Sequence, residues 1–349
     1  MTPLARRLRA RIAAEGPIPV AAWMAACLEH YYGTRDPLGH GGDFITAPEI
    51  SQVFGELLGL CLADAWQRAG SPSAVRLVEL GPGRGTLMAD LWRAVGAVPG
   101  FQTAATIHFV ETSPALRIEQ AQRVPMATWH ARLDEVPEDA PLLLVANEFF
   151  DALPVRQLVR TADAWRERMV AVDGEALVFT TGGPPLDILV PLALQSAPLG
   201  SIHEQSPAST AIAAEIGVRL ARHGGTALIV DYGYEGPALG DTLQAVRAHA
   251  YTDPLADAGE ADLTGHVDFA ALARAAKAIA HGPIGQGDFL SALGLHQRTE
   301  RLAAKASPNQ AHHLRTGAQR LSAPDGMGSL FRALALTGPG WPVPTGFAG

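Results

Sequence analysis

The chain has 349 residues, with 27 Lys+Arg against 35 Asp+Glu and a formal net charge of −8, and its 48% apolar and 18% charged content is that of a globular protein rather than a disordered one. Only Lys277 and Lys305 are lysines, and the acidic excess is concentrated in residues 76–250, so the broad positive field of a general nucleic-acid binder is missing. Two cysteines, Cys27 and Cys61, outside any CxxC pair exclude a disulfide framework or cysteine zinc site, and no run of apolar residues is long enough to insert in a membrane.

The length predicts about two domains, or one large α/β domain with additions. Three stretches differ in texture: N-terminal helices with a Gly-rich loop (1–75), an alternating core with an antiparallel insertion near 155–200 (76–250), and a helical region with a closing strand (251–349). The Arg-rich start imitates a transit peptide. Leu4, Leu8 and Ile12 nevertheless repeat every four residues, so 3–14 reads as an amphipathic helix and the expected location is cytoplasmic. Helices follow at 19–31 and 48–69. Between them lies a loop with Gly33, Gly39, Gly41 and Gly42, and loops this long inside compact domains are mostly functional or disordered. Gly42, Asp43, Phe44 and Thr46 are its candidate ligand-covering residues, and Thr46-Ala-Pro-Glu49 also matches a capping box.

From residue 75 short apolar runs alternate with helices. Strands are predicted at 75–80, 106–111, 141–146 and 226–231, with helices at 85–95 and 113–123, which indicates a doubly wound, mostly parallel α/β sheet covered on both faces. Residues 155–182 read as antiparallel strands with a turn at Asp173-Gly174. An irregular excursion follows at 182–200, then a helix at 207–222. Further helices are predicted at 268–280, 287–293, 296–306 and 308–321, before a last strand at 329–337. The basic stretch 296–332, with six Arg/Lys against Glu300 and Asp325, reads as a solvated face or a partner surface.

The segment LVELGPGRGTLMADLWR carries the most chemistry. Glu79 ends an apolar strand, and Gly81, Gly83 and Gly85 then lead directly into a helix at Thr86. A dinucleotide fingerprint needs its third glycine where Thr86 stands, and a P-loop needs a lysine that the segment lacks. The spacing acid-x-G-x-G-x-G resembles the first motif of class I S-adenosylmethionine-dependent methyltransferases. The next strand ends at Glu111, an acid placed to accept both ribose hydroxyls; its competing role is to cap the helix after Ser113.

Several segments together resemble one methyltransferase family, that of the mitochondrial complex I assembly protein-arginine methyltransferase and its bacterial relatives. They include RDPLGHGGDFITAPEISQVFGELLG, VELGPGRGTLMADLWR, HFVETSPALRIEQAQ, ANEFFDALPVRQLV, VDYGY, GDTLQAVRAH, GEADLTGHVDF and GMGSLFRALAL, in order from about residue 16 to 340. The resemblance implies a class I methyltransferase sheet with added helices, S-adenosylmethionine as donor, and arginine of a protein substrate, in the mitochondrial relatives a complex I subunit, as acceptor. Glu79, the three glycines, Thr86, Glu111 and Asn147 are then the donor-binding candidates, with the 42–46 loop. A guanidinium is a poor nucleophile that a carboxylate can orient and deprotonate. The candidates for that role are Glu148 and Asp151 in NEFFDALP, and Asp231 at the end of the 226–231 strand. Asp231 is the second-tier member of this set; Tyr232 or Tyr234 offers a hydrogen bond nearby, and His266 either orients substrate or is structural. The competing readings are a small-molecule or RNA acceptor, or a donor-binding assembly factor with little catalysis.

Overall fold

The apolar runs after residue 75 build one seven-stranded path: β1 (Val75–Leu80), β2 (Ala105–Val110), β3 (Thr128–His130), β4 (Leu142–Asn147), β5 (Gly225–Tyr234), β6 (Ile279–Gly285) and β7 (Phe331–Thr337). The computed structural model describes residues 2–34 and 46–347. Gly42, Asp43 and Phe44 lie outside the described residues.

The strand order is β3-β2-β1-β4-β5-β7-β6. Strands β1 to β5 run parallel, and β7 runs antiparallel to both β5 and β6. This is the doubly wound order with one reversed strand inserted near its edge, a class I methyltransferase sheet. The order reverses between β1 and β4, and in such sheets ligands bind beyond the carboxyl ends of the strands at that point. Strand β4 reads Leu-Leu-Leu-Val-Ala-Asn and is buried along its whole length, as a strand covered on both faces requires. Helices α1 (Gln52–Arg68) and α2 (Thr86–Val95) pack on one face, and Phe54, Leu58, Leu62, Met88 and Leu91 join Leu77, Val145 and Val230 in its core. Helix α3 (Pro114–Arg123) follows β2 and is capped by Ser113, whose hydroxyl accepts from the Leu116 amide.

Chain contacts divide the molecule into two compact units. The sheet and its helices form one, from Ile45–Phe150, Ile212–Gly233 and Leu272–Gly349. The other comprises Met1–Phe44, Asp151–Ala211 and Tyr234–Ala271. Its five-stranded antiparallel sheet holds Ile18–Pro19, Arg156–Arg160, Trp165–Asp173, Ala176–Gly182 and Ile202–Gln205, and a three-stranded sheet holds Gln244–Arg247, Ala250–Thr252 and Asp262–Thr264. The expected first helix is Pro3–Glu15, and Leu4, Leu8 and Ile12 enter a core with Trp23, Val155, Val170 and Leu263.

Four expectations need correction. The helix expected over 48–69 is two helices, Ala47–Ile50 and α1, separated at Ser51, whose extended backbone (φ −156°) lets its hydroxyl cap the Val53 amide at 3.3 Å. The Thr46 side chain makes no capping bond, so the capping box is not formed. The helix expected over 268–280 ends at Ala276, and β6 begins at Ile279. The hairpin turn is Gly174-Glu175, one residue later than expected, because Asp173 still pairs with Ala176.

Candidate functional site

The glycine turn after β1 is held on the left side of backbone space: Gly81, Gly83 and Gly85 have φ of +60°, +52° and +79°. Gly81 is under a second constraint. A Cβ there would stand 2.8 Å from Cδ2 of Phe149, in the turn after β4. The Gly81 amide donates to the Val110 carbonyl at 3.0 Å, which ties the turn to the end of β2.

Glu79 is buried at the end of β1, and burial pushes its carboxyl up to about 8, against a hydrogen bond from the Met88 amide in the first turn of α2. Its Oε2 has no hydrogen-bond partner among the described residues, and neither has Oδ1 of Asn147 at the end of β4. Buried polar atoms are nearly always satisfied, so two orphan acceptors at the ends of neighbouring strands mark a place that a polar ligand completes. Thr86 donates its hydroxyl to Glu49 Oε1 at 2.5 Å, which joins the short helix after Thr46 to the start of α2.

Glu111 is held rigidly. Its Oε1 accepts the amides of Thr112 and Ser113, both at 2.8 Å, and its Oε2 accepts from Nε2 of Gln120 at 3.1 Å. Burial raises its carboxyl pKa against those three bonds. Sequence reasoning passed over Gln120. It is fully buried on α3, and the same Nε2 donates to the Gly83 carbonyl at 2.7 Å while its Oε1 accepts from the Trp129 indole at 2.8 Å. One side chain therefore ties the glycine turn, the acid after β2 and strand β3 together. A glutamine at the seventh position of α3, among Arg117, Glu119, Gln122 and Arg123, carries no composition signal that would set it apart.

The NEFFD turn after β4 is the most strained element of the site. Glu148 has φ +49°, a conformation that costs a non-glycine residue about 1–2 kcal/mol. Its amide donates to the Val230 carbonyl at 3.0 Å, and its Oε1 accepts from the Ala47 amide (3.0 Å) and Asn147 Nδ2 (3.1 Å). Asp231 is fully buried at the neighbouring strand end. Its Oδ2 accepts the amides of Phe149 (3.2 Å) and Phe150 (3.0 Å), and its Oδ1 accepts that of Tyr232 (2.9 Å). Its visible work is to fix the turn. Glu79, Glu111, Asn147, Glu148 and Asp231 all belong to the sheet unit, whereas Asp151 belongs to the second unit. There Asp151 is buried, and its carbonyl accepts the Gly265 amide at 3.0 Å. The phenol of Tyr32 donates to Asp262 Oδ1 at 3.1 Å, and burial first, then the charges of Asp262 and Asp151, raise its pKa well above the usual tyrosine value. Tyr32 and Asp262 were also absent from the sequence-based candidates.

A glycine turn at the switch point of a doubly wound sheet, with an anchored acid after the second strand, defines a class I S-adenosylmethionine-dependent methyltransferase. Residues 57–284 match the family described as "Putative S-adenosyl-L-methionine-dependent methyltransferase". The chain is 37% identical to the Drosophila melanogaster homologue of the mitochondrial protein arginine methyltransferase NDUFAF7, over 95% of this chain and 84% of that protein. It is 36% identical to human mitochondrial NDUFAF7 over 96% of this chain and 83% of that one. Among solved structures, a COG1565 superfamily member from Burkholderia thailandensis bound to S-adenosyl-homocysteine superposes with a TM-score of 0.84 at 29% identity, over 98% of this chain and 93% of that chain. The chain belongs to this methyltransferase family, and S-adenosylmethionine is its methyl donor.

The relatives also correct one expectation. The curated proteins named above are mitochondrial, which overturns the cytoplasmic location read from the first helix. An amphipathic Arg-rich segment can serve as a folded helix, as it does here, without reporting the compartment. No helix among the described residues is long and apolar enough to cross a membrane.

Proposed function

We propose that the protein transfers the methyl group of S-adenosylmethionine to an arginine of a protein partner. The observation that carries this reading is the 36–37% identity, over nearly the whole chain, with relatives named as protein arginine methyltransferases. A respiratory complex I subunit is the substrate class that the family resemblance suggests.

The donor's residues fit the site. The glycines permit the left-handed turn at the end of β1, Glu111 after β2 is the acid this reading offers to the ribose hydroxyls, and the orphan oxygens of Glu79 and Asn147 suit a hydrogen-bond-donating ligand. The donor supplies an electrophilic methyl group on a sulfonium. The chain's part is to align that methyl with the acceptor nitrogen and to manage the guanidinium's charge and proton. In this reading Glu148 or Asp151 hydrogen-bonds the guanidinium, localises its charge on the other nitrogens and takes up the proton. Asp231 is assigned a positioning role, through the Phe149 and Phe150 amides that it holds.

The test is incubation with methyl-labelled donor and cell lysate. The expected result is a nuclease-resistant labelled protein band that yields methylarginine on hydrolysis and disappears with Gly83→Val or Glu111→Ala. Label found only in small molecules or RNA would overturn the acceptor. Labelling that survives Glu148→Gln together with Asp151→Asn would remove both carboxylates from the chemistry.

A further inference from the structure

Sheet edges are sites where another chain can add, and proteins block them with short strands, prolines, bulges or charges. Nearly every outer strand described here carries such a device. Ile18–Pro19 has two residues and a proline, Thr128–His130 has three, and Ile202–Gln205 has four and includes Glu204. Ala250–Thr252 and Asp262–Thr264 have three each. Strand β6 contains Pro283 and shifts register between His281 and Ile284.

The strand Ala176–Gly182 has none of them. It is seven residues long, ALVFTTG, without charge or proline, and pairs in unbroken register with Trp165–Asp173 on one side. No described strand pairs with its other side. The two-residue turn Gly174-Glu175 makes Asp173 and Ala176 a mutually hydrogen-bonded pair. Alternate residues Leu177, Phe179 and Thr181 therefore turn their N–H and C=O groups outward.

We infer that this edge pairs antiparallel with the same edge of a second copy, giving a two-fold symmetric dimer with a continuous sheet across the interface. Three observations favour a second copy. An uncharged strand can lie against itself without opposing like charges. With Phe179 at the two-fold axis, Leu177 faces Thr181 of the second copy, so the outward groups on both strands meet in register. The turn of Asp173 and Glu175 then comes to the second copy's Gly183, and both ends are charge-compensated within their own copy: Arg9 donates to the Gly174 and Glu175 carbonyls, and Arg166, which donates to the Gly183 carbonyl at 2.5 Å, is paired with Asp163, so the register sets no like charges against each other. The following segment supplies apolar surface near the same end, with Ile188 91% and Leu192 84% exposed.

The test uses the full chain in sedimentation velocity over a concentration series, with amide hydrogen exchange of residues 177–181. The wild type is expected to be dimeric with slow exchange at these amides. Thr181 is exposed and its amide points outward, so Thr181→Pro leaves the hairpin ladder intact and removes one bond per copy. It is expected to raise the dimer dissociation constant about thirty-fold, to speed exchange at 177–181, and to leave S-adenosylmethionine binding unchanged. Thr181→Lys, which puts a charge opposite Leu177 of the second copy at each end of the shared ladder, is expected to weaken the dimer in the same direction and serves if the proline variant does not fold. A wild type that stays monomeric with fast edge amides would overturn the inference. So would a dimer that both variants leave intact. Edge amides that become protected only when an arginine-bearing protein substrate is added would assign the edge to the substrate and overturn the self-pairing.

Discussion

Replacing Gln120 by leucine keeps its approximate volume but removes three hydrogen bonds: to the Gly83 carbonyl, to Glu111 Oε2 and from the Trp129 indole. Glu111 is partly exposed and can recruit water for its lost bond. The Gly83 carbonyl and the Trp129 N–H faced a fully buried side chain, and each unsatisfied group costs about 1–3 kcal/mol. The expected loss of stability is therefore about 2–6 kcal/mol, a fall in Tm on the order of 10 °C for a domain of this size. Donor binding should weaken as well, because the glycine turn and the ribose-facing acid lose the one side chain that couples them. Thermal unfolding combined with calorimetric titration of S-adenosylmethionine at a temperature where the variant is folded measures both effects, and at least a roughly tenfold rise in Kd is expected. A variant that melts within about 1 °C of the wild type and binds the donor equally well would refute the coupling and reduce Gln120 to a packing residue.

Gly81→Ala forces an alanine to φ +60° and places a methyl 2.8 Å from the Phe149 ring; it should lower stability by about 1–2 kcal/mol and weaken donor binding at least roughly tenfold, read by unfolding and calorimetry. Glu79 has a folded-state pKa of about 8, above its ordinary unfolded value, so the folded chain holds a proton that the unfolded chain has released. Its contribution to stability is greatest below about pH 4.5 and declines by up to about 1.4 kcal/mol per pH unit until about pH 8. Denaturant unfolding across pH should show this decline in the wild type and its absence in Glu79→Gln. Equal slopes in the two proteins would contradict the assignment.

How much of this was legible in the sequence follows from the range of each signal. Strands β1, β2, β4 and β5 are buried on both faces, so their apolar runs announce them directly, and the acids at their ends mark the ligand edge of the sheet. Strand β6 was missed because it reads Ile-Ala-His-Gly-Pro-Ile-Gly, an edge strand with a bulge, whose composition speaks for a loop. Glu49 was legible as a helix-capping acid, but its partner proved to be Thr86, 37 residues away. Gln120 and Asp262 escaped for the same reason: their importance lies in partners distant in the chain, and no local pattern encodes them. Asp231 was picked out as a candidate by its position near a strand end, while its work of holding three backbone amides required the fold.

Strand β4 ends at Asn147 and β5, its parallel neighbour, begins at Gly225. Roughly 80 residues therefore interrupt a pairing that an ordinary crossover closes with about a dozen. Because closure entropy grows only with the logarithm of length, that detour destabilises the sheet by about 2 kcal/mol relative to a minimal connection. The heavier consequence is kinetic. Until the detour condenses on its own local hairpins, such as Trp165–Asp173 with Ala176–Gly182, the two central strands must find each other across a long chain, and such non-local pairing is slow. The detour of residues 148–224 thus governs when β4 and β5 first come together.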